Sequence, residues 1–390
     1  PFRPGVGSAA PVRPLRGSHR RGCRGFRSEI RRKKRGCVPF RAEGTQSLFN
    51  VSDKEHGRIA VSNICDAQGR RPLLLSPAFK DYIWGGTKLK TEFGKETDLE
   101  KVAESWQLSC HKDGSSVIEN GEYAGKTLPE YIEIAGREVL GSDCASFEYF
   151  PILIKLIDAK DNLSVQVHPN NDYAMRVEGE YGKTEMWYVV DADKGAKLRS
   201  GFSEQITPKE YKERVLNNTI TDVLQEYEIK PGDVFFLPAG RVHSIGAGAF
   251  IAEIQQTSDI TYRIYDFNRK DANGKTRELH TDLAREAINY EVLDDYRTKY
   301  EAVKDEPVEL VACPYFTTSV YDMTEEISCD YSELDSFVIF ICMEGACRIK
   351  DNEGNELKVG AGESILLPAT TQDVTITPEA GNVKLLETYV

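Results

Sequence analysis

Gln166 and His168 stand two residues apart in LSVQVHP, residues 163–169, among valines. Side chains alternate across a strand, so Ser164, Gln166 and His168 share one face while Val165 and Val167 take the other. The same arithmetic sets Lys183 and Glu185 together on the following strand, in GKTEMWYVV. His243 follows the turn Pro238-Ala239-Gly240 in LPAGRVHSI. Two imidazoles, a carboxylate and an amide oxygen drawn from three strands are a donor set for a divalent metal. The chain has only six histidines, so two at matching strand positions carry weight against the plainer reading of satisfied core residues. Downstream, EIQQTSDITYRIYDFNR brings Glu253, Arg263 and Arg269 after the last strand of this region. An arginine near a metal offers a planar fork for phosphate or for a developing oxyanion. The following DFNRKDANGKTRELH reads as a polar loop and is assigned no chemistry. YIWGG is either turn packing or the lining of a sugar pocket.

The elements that must position these groups are mostly strands. From Pro151 onward, short β-branched runs alternate with Gly, Pro or Asp: PILIKLIDA, LSVQVHP, TEMWYVVDA, YEIKPGDVFFLPAGRVHSI and FIAEIQQ. Two stretches read as helical. TLPEYIEIAGREVLG opens on Thr127 with an early proline, and SEQITPKEYKERVLNNTITDVL spans 203–224. An internal repeat sets the architecture. Gly232-Asp233-Val234-Phe235-Phe236-Leu237-Pro238-Ala239 aligns without a gap with Gly362-Glu363-Ser364-Ile365-Leu366-Leu367-Pro368-Ala369. Repeated strands at this density predict a mainly β fold of two cupin-type jelly-roll barrels with a small helical insertion. Asp373 stands where the first copy has His243, so the second barrel is expected to keep the shape and lack the ligand.

Length and charge bound the rest. A chain of 390 residues, 40% hydrophobic, holds two folded units and has no apolar run long enough to cross a membrane. Residues 1–41 carry thirteen Arg/Lys against Glu29 alone, +12, which against the overall −12 leaves −24 on the remainder. An acidic body with a basic tail is not the clustered cationic surface that nucleic acid requires, so neither a nucleic-acid nor a membrane partner is expected. RRKKR, residues 31–35, reads as a nuclear or nucleic-acid patch, as part of an organelle transit peptide, or as plain disorder. The expected division is 1–71 as a disordered or non-native extension, 72–305 as the N-terminal catalytic cupin domain with its helical insertion, and 306–390 as a non-catalytic C-terminal cupin. Nine cysteines without a CxxC pair suit reduced thiols in the cytoplasm.

Taken in order, YIWGGTKL, AESWQLS, LSVQVHP, GKTEMWYVV, LPAGRVHSI and SDITYR resemble class I mannose-6-phosphate isomerases of the short bacterial type. The resemblance covers Pro72 to Val390. It implies a zinc enzyme of the cupin superfamily, one Zn2+ per chain, interconverting mannose 6-phosphate and fructose 6-phosphate through a cis-enediol. By that resemblance the zinc ligands are Gln166, His168, Glu185 and His243. Ser164, Lys183, Glu253 and Arg263 fall at pocket positions, with Arg263 and Lys183 catalytic. Residues 1–71 have no counterpart in it, and the helical domain of larger eukaryotic members has no room here. The carbon-bound proton has three possible acceptors: a zinc-bound water, Lys183 or Glu253. Two other classes fit the residues alone. One is an iron dioxygenase using His168, Glu185 and His243 as a facial triad; the other is a non-enzymatic sugar-binding cupin.

Overall fold

The computed structural model describes residues 71–270 and 273–390, and the basic stretch with its RRKKR patch lies outside them. The described chain is mainly β. Four main sheets stack in layers. The inner N-terminal sheet has seven strands, in the order Arg297–Thr298, Val234–Leu237, Glu185–Ala192, Ala249–Gln256, Ile152–Asp158, Glu104–Leu108 and Ala78–Lys80. An outer N-terminal sheet of five strands covers one face, in the order Leu224–Glu228, Lys197–Phe202, His243–Ile245, Val165–Val167 and Tyr262–Tyr265. A second seven-stranded sheet, the inner C-terminal one, backs onto the other face. A four-stranded sheet (Ile327–Asp330, Asp373–Pro378, Ala346–Asp351, Glu356–Gly360) covers that one in turn. The sheets do not close on themselves by continuous pairing.

This layering explains a feature of the sequence. PILIKLIDA lacks the apolar–polar alternation of a half-exposed strand because both its faces are covered: every residue of Ile152–Asp158 is buried. Ile152, Ile154 and Leu156 join Leu73, Ile339, Ile341, Leu366 and Leu386 in the core between the two seven-stranded sheets. Side chains of that size contribute roughly 1.5–3 kcal/mol each when fully buried. Ile157 points the other way, into a core shared with Trp187, Leu198, Phe235 and Ile245. Lys155 points the same way, and that face is where polar residues accumulate.

The outer N-terminal sheet is two-sided as well. Val165, Val167, Tyr262 and Ile264 pack outward against Tyr211 and Val215 of the helix Pro208–Leu216 and Ala284 of the helix Thr281–Ala287. Gln166 and His168 are thereby turned inward. Both helical stretches read from sequence contain a helix with the same kind of cap, but the second runs only over Pro208–Leu216, with a 3-10 turn at Ile220–Val223, and not over all of 203–224. Thr127 and Thr207 each accept from the backbone N–H three residues on, and Glu130 and Glu210 reach back to the cap, closing two capping boxes. The first ends early, at Gly136 with φ of 89°, so Arg137–Leu140 forms a separate 3-10 turn. The helices Asn171–Val177 and Thr281–Ala287 were not expected.

The repeated octapeptide builds the same turn twice. Gly232 and Gly362 have φ of 89° and 85°, a region that favours glycine. The Gly232 N–H donates to Val189 O at 2.8 Å and Val189 N–H to Asp233 O at 2.9 Å; Gly362 and Cys342 repeat the exchange with Glu363 at 2.7 and 2.9 Å. Two segments from early in the chain complete the inner C-terminal sheet: Leu73–Ser76 pairs antiparallel with Ser364–Leu367, and Val117–Ile118 extends it. Among the described residues the six cysteines are free, and no helix is long and apolar enough to cross a membrane.

Candidate metal centre and active site

Three strands from the two N-terminal sheets bring His168, Glu185 and His243 together in the buried space between them. One ligand atom from each lies within 4.8 Å of the others. His243 Nε2 is 3.4 Å from Glu185 Oε1, and His168 Nε2 is 3.5 Å from Glu185 Oε2. Both rings are oriented from behind: His168 Nδ1 faces the Ile260 carbonyl at 2.7 Å and His243 Nδ1 the Arg241 carbonyl at 2.9 Å. A carbonyl only accepts, so each Nδ1 carries the proton and each Nε2 lone pair faces the centre. Burial, reinforced by the Lys183 charge, holds His168 well below the ordinary histidine range, and burial brings His243 down to about 4. Both rings are therefore neutral. His168 Nε2 and Glu185 Oε1 are buried without a hydrogen-bond partner, and Glu185 Oε2 has only its ion pair with Lys183 at 2.8 Å, an arrangement that costs stability unless a further cation completes it. The donor set fits a divalent metal.

Gln166 lies beside this trio, its amide nitrogen 3.3 Å from His243 Nε2 and its oxygen accepting from Ser164 Oγ at 3.2 Å. The two ends of an amide are nearly isosteric, and turning it over presents the oxygen to the centre.

Beyond Glu185 runs a buried row of alternating charge. Lys183 Nζ sits 2.8 Å from Glu185 Oε2 and 3.5 Å from Glu253 Oε1. Lys155 Nζ lies 3.7 Å from the same Glu253 oxygen and 3.4 Å from Glu104 Oε2. Trp187 Nε1 donates to Glu253 at 2.8 Å and Trp106 Nε1 to Glu104 at 2.7 Å. Burial works against ionising these groups, but the neighbouring ammoniums, with the indole N–H, hold Glu253 below the usual carboxylate range. The carboxylates likewise hold both lysines above theirs. Burial and Glu253 push Glu185 up. Three carboxylates face two ammoniums, so the row favours one more cation at its Glu185 end.

The row opens into a cavity of about 350 Å³ whose lining includes Trp84, Ser164, Gln166, Lys183, Glu253 and Arg263. All eight sequence-predicted residues therefore lie in the candidate metal cluster or on the cavity wall. Glu253 is not after the last strand, as the sequence reading had it, but in the middle of Ala249–Gln256. Arg263 lies on a further strand, Tyr262–Tyr265, beside Gln166. That backbone is fixed by His280, whose Nδ1 accepts from Arg263 N–H at 3.0 Å. In YIWGG, Gly85 and Gly86 pack so closely that a Cβ would meet Ala103 at 2.5 Å or Asp158 at 2.4 Å, while Tyr82 and Trp84 line the cavity. Sequence reasoning missed Glu104, Lys155, Asp259 and Arg277 on the wall. The one available signal was a lysine set in the otherwise apolar strand ILIKLI.

Residues 73–198 match the profile described as phosphomannose isomerase type I, catalytic domain, and residues 307–390 that of the mannose-6-phosphate isomerase cupin domain. The mannose-6-phosphate isomerase ManA of Bacillus subtilis is 37% identical over 76% of this chain and 93% of its own. A mannose-6-phosphate isomerase of Streptococcus mutans is 37% identical over 77% and 93%. The crystal structure of the Bacillus subtilis mannose 6-phosphate isomerase superposes with a TM-score of 0.74 at 34% identity, covering 82% of this chain and 99% of that one. With its two-histidine, one-glutamate cluster and these matches across both halves, the chain belongs to the type I mannose-6-phosphate isomerase family.

Proposed function

We infer that this protein interconverts mannose 6-phosphate and fructose 6-phosphate, with His168, Glu185, His243 and Gln166 holding a zinc ion in the first of two cupin barrels. The observation that carries the reading is that His168 Nε2 and Glu185 Oε1 have no hydrogen-bond partner beside a polar cavity, in a chain of this family. Zinc at that point supplies Lewis-acid polarisation of the sugar oxygens.

The chain's own residues do the rest. Isomerisation moves the C2 proton of the open-chain aldose to C1, while a hydroxyl proton passes from O2 to O1, through a cis-enediol. Glu253 is the proton acceptor: it lines the cavity and is held as a carboxylate by two ammoniums and an indole N–H. Lys183, ion-paired with Glu185, is a cation and not a base; its charge lies where oxyanion character develops. Arg263 directs a planar fork into the same cavity, a contribution to transition-state stabilisation commonly worth about 3 kcal/mol. Ser164 keeps the Gln166 amide in place. Lys155, Lys183 and Glu253 are buried, which strengthens the interactions among them.

A coupled assay on mannose 6-phosphate, run before and after chelation and after zinc is restored, tests the reading. Turnover that vanishes and returns with zinc supports it. Full turnover by metal-free protein overturns it. The iron dioxygenase and binding-module readings are not favoured, since the relatives that span most of the chain carry isomerase names.

A further inference from the structure

Gly182, Lys183 and Thr184 lead directly into Glu185, yet the pairing of the strand Glu185–Ala192 begins only at Glu185 itself. All three are buried, so their backbone N–H groups need acceptors outside the ladder. Gly182 N–H donates to Asn171 Oδ1 at 3.0 Å, Lys183 N–H to the Pro169 carbonyl at 3.1 Å, and Thr184 N–H to Gln256 Oε1 at 2.8 Å. The two side chains are themselves joined, because Gln256 Nε2 donates to the same Asn171 oxygen at 3.1 Å. Asn171 Oδ1 thus accepts twice, and its Nδ2 donates to Tyr315 Oη at 3.3 Å. A buried N–H that loses its acceptor is costly, so without these side chains the segment would shift to find another.

Close packing completes the frame. A Cβ at Gly182 would meet Pro169 O and Asn170 C at 2.4 Å, so the two backbones touch there. From another direction, Ala239 N–H donates to Thr184 Oγ1 at 3.2 Å and Gly240 N–H to His168 O at 2.8 Å. Pro169 to Asn171 follow His168, Thr184 precedes Glu185, and Ala239-Gly240 leads towards His243. One hydrogen-bonded frame therefore joins the chain beside each member of the candidate metal cluster. Asn171, Gln256 and Tyr315 belong neither to that cluster nor to the wall of the catalytic cavity, and border a different cavity of about 230 Å³. Tyr315 comes from the C-terminal half, in the turn between the strands Pro307–Ala312 and Thr317–Met323.

We propose that Asn171 and Gln256 are positioning residues for the isomerisation, holding Lys183 and Glu185 in place through the backbone of residues 182–184, and that Tyr315 steadies Asn171 from the second half. The catalytic consequence rests on the isomerase reading above; the consequence for metal retention rests on the metal cluster alone.

The test compares zinc-loaded wild type with Asn171→Ala, Asn171→Asp and Tyr315→Phe in kinetics on mannose 6-phosphate, in release of zinc to a chromogenic chelator, and in thermal melting. In Asn171→Ala, kcat per bound zinc should fall roughly 30-fold with KM within about threefold, and zinc release should quicken roughly tenfold, as lost outer partners of metal ligands and misplaced reacting groups produce. Asn171→Asp keeps the oxygen to which Gly182 and Gln256 donate, and the Tyr315 hydroxyl can turn to donate to it, so both quantities should return to within about threefold of wild type. Tyr315→Phe loses one hydroxyl and should lower kcat about threefold, with zinc release quickened to a similar extent. A lower melting temperature with unchanged kcat and zinc release would overturn the proposal. A rise in KM alone, or no recovery in Asn171→Asp, would do the same. If Asn171→Ala does not fold, Tyr315→Phe decides: the stated losses sustain the proposal and wild-type values in both sink it. If wild type fails to turn over mannose 6-phosphate, the isomerase reading falls, and zinc release still decides. Faster release from Asn171→Ala, restored in Asn171→Asp, sustains the frame; equal release from all three proteins sinks it.

Discussion

The two halves of the molecule repeat one piece of backbone and differ in what they hang on it. Following the octapeptide repeat into its neighbours, Leu237 pairs with Glu185 and Leu367 with Val338; Phe235 pairs with Trp187 and Ile365 with Phe340. One strand further, Glu253 opposite Trp187 corresponds to Glu387 opposite Phe340, and Lys155 opposite Glu253 corresponds to Ser319 opposite Glu387. The Glu185 carboxylate has become a valine, the bridging ammonium a serine, and His243 an exposed aspartate, Asp373. One acid survives in the second half, satisfied without a cation: Glu387 accepts from Tyr321 Oη at 3.1 Å and from Tyr331 Oη. The scaffold tolerates either a charged interior or an apolar one, and chemistry resides in a handful of side chains.

The largest test of that contrast removes a proposed ligand from one half and its positional counterpart from the other. His243→Ala should abolish metal binding and lower kcat about a thousandfold or more, whereas Asp373→Ala should leave metal content and kcat near wild type. Metal analysis with steady-state kinetics reads both, and a comparable loss from Asp373→Ala would give the second half a site of its own. Lys155→Met should cost about 3–5 kcal/mol in denaturant unfolding, because it leaves Glu104 and Glu253 buried without their shared cation. Ser319→Ala, at the matching position, should cost far less. Near-equal losses would show that the charged row contributes little to folding.

Arg263→Lys tests geometry against charge. We expect kcat to fall about a hundredfold, roughly 2.7 kcal/mol, with zinc content unchanged. A rise in KM alone would make Arg263 a ground-state contact. The smallest effect belongs to Glu387. Burial raises its pKa, opposed by the two tyrosine hydroxyls, so the folded state holds this proton more tightly than the unfolded chain does. Its contribution is full below the ordinary glutamate value of 4.5 and is lost as pH rises through the folded value. Glu387→Gln should therefore melt slightly higher than wild type at neutral pH and show no advantage in acid. A lower melting temperature at neutral pH would mean that the ionised carboxylate is the stabilising form.

What the sequence made legible was local. Alternation over LSVQVHP turned Gln166 and His168 to one face, the Thr-x-x-Glu caps started two helices, and the octapeptide announced a repeated turn. The partners that complete the site were not legible, because pairing between distant strands leaves no local pattern. Nothing near Lys155 in the chain names Glu104 or Glu253, and a strand buried on both faces loses the period that would mark its site side. Arg277 was obscured for another reason. A turn rich in Asp, Asn, Gly and Lys looks solvated until the buried Asp266, paired with Arg277, is seen at its base.

The pairing of Leu73–Ser76 with Ser364–Leu367 joins residues roughly 290 positions apart, among the most distant contacts a chain of this length can make. On the ribosome, the first strand of the described fold emerges long before the strand it must lie against. Until synthesis is nearly complete it presents an unpaired apolar edge, Leu73 to Leu75, of the kind that recruits other chains. The same pairing ties the beginning of the fold to its end like a clasp. Cutting the gene near residue 306, where the sequence suggests a seam, would yield a C-terminal fragment with a bare strand edge, and aggregation of that fragment when expressed alone is the consequence.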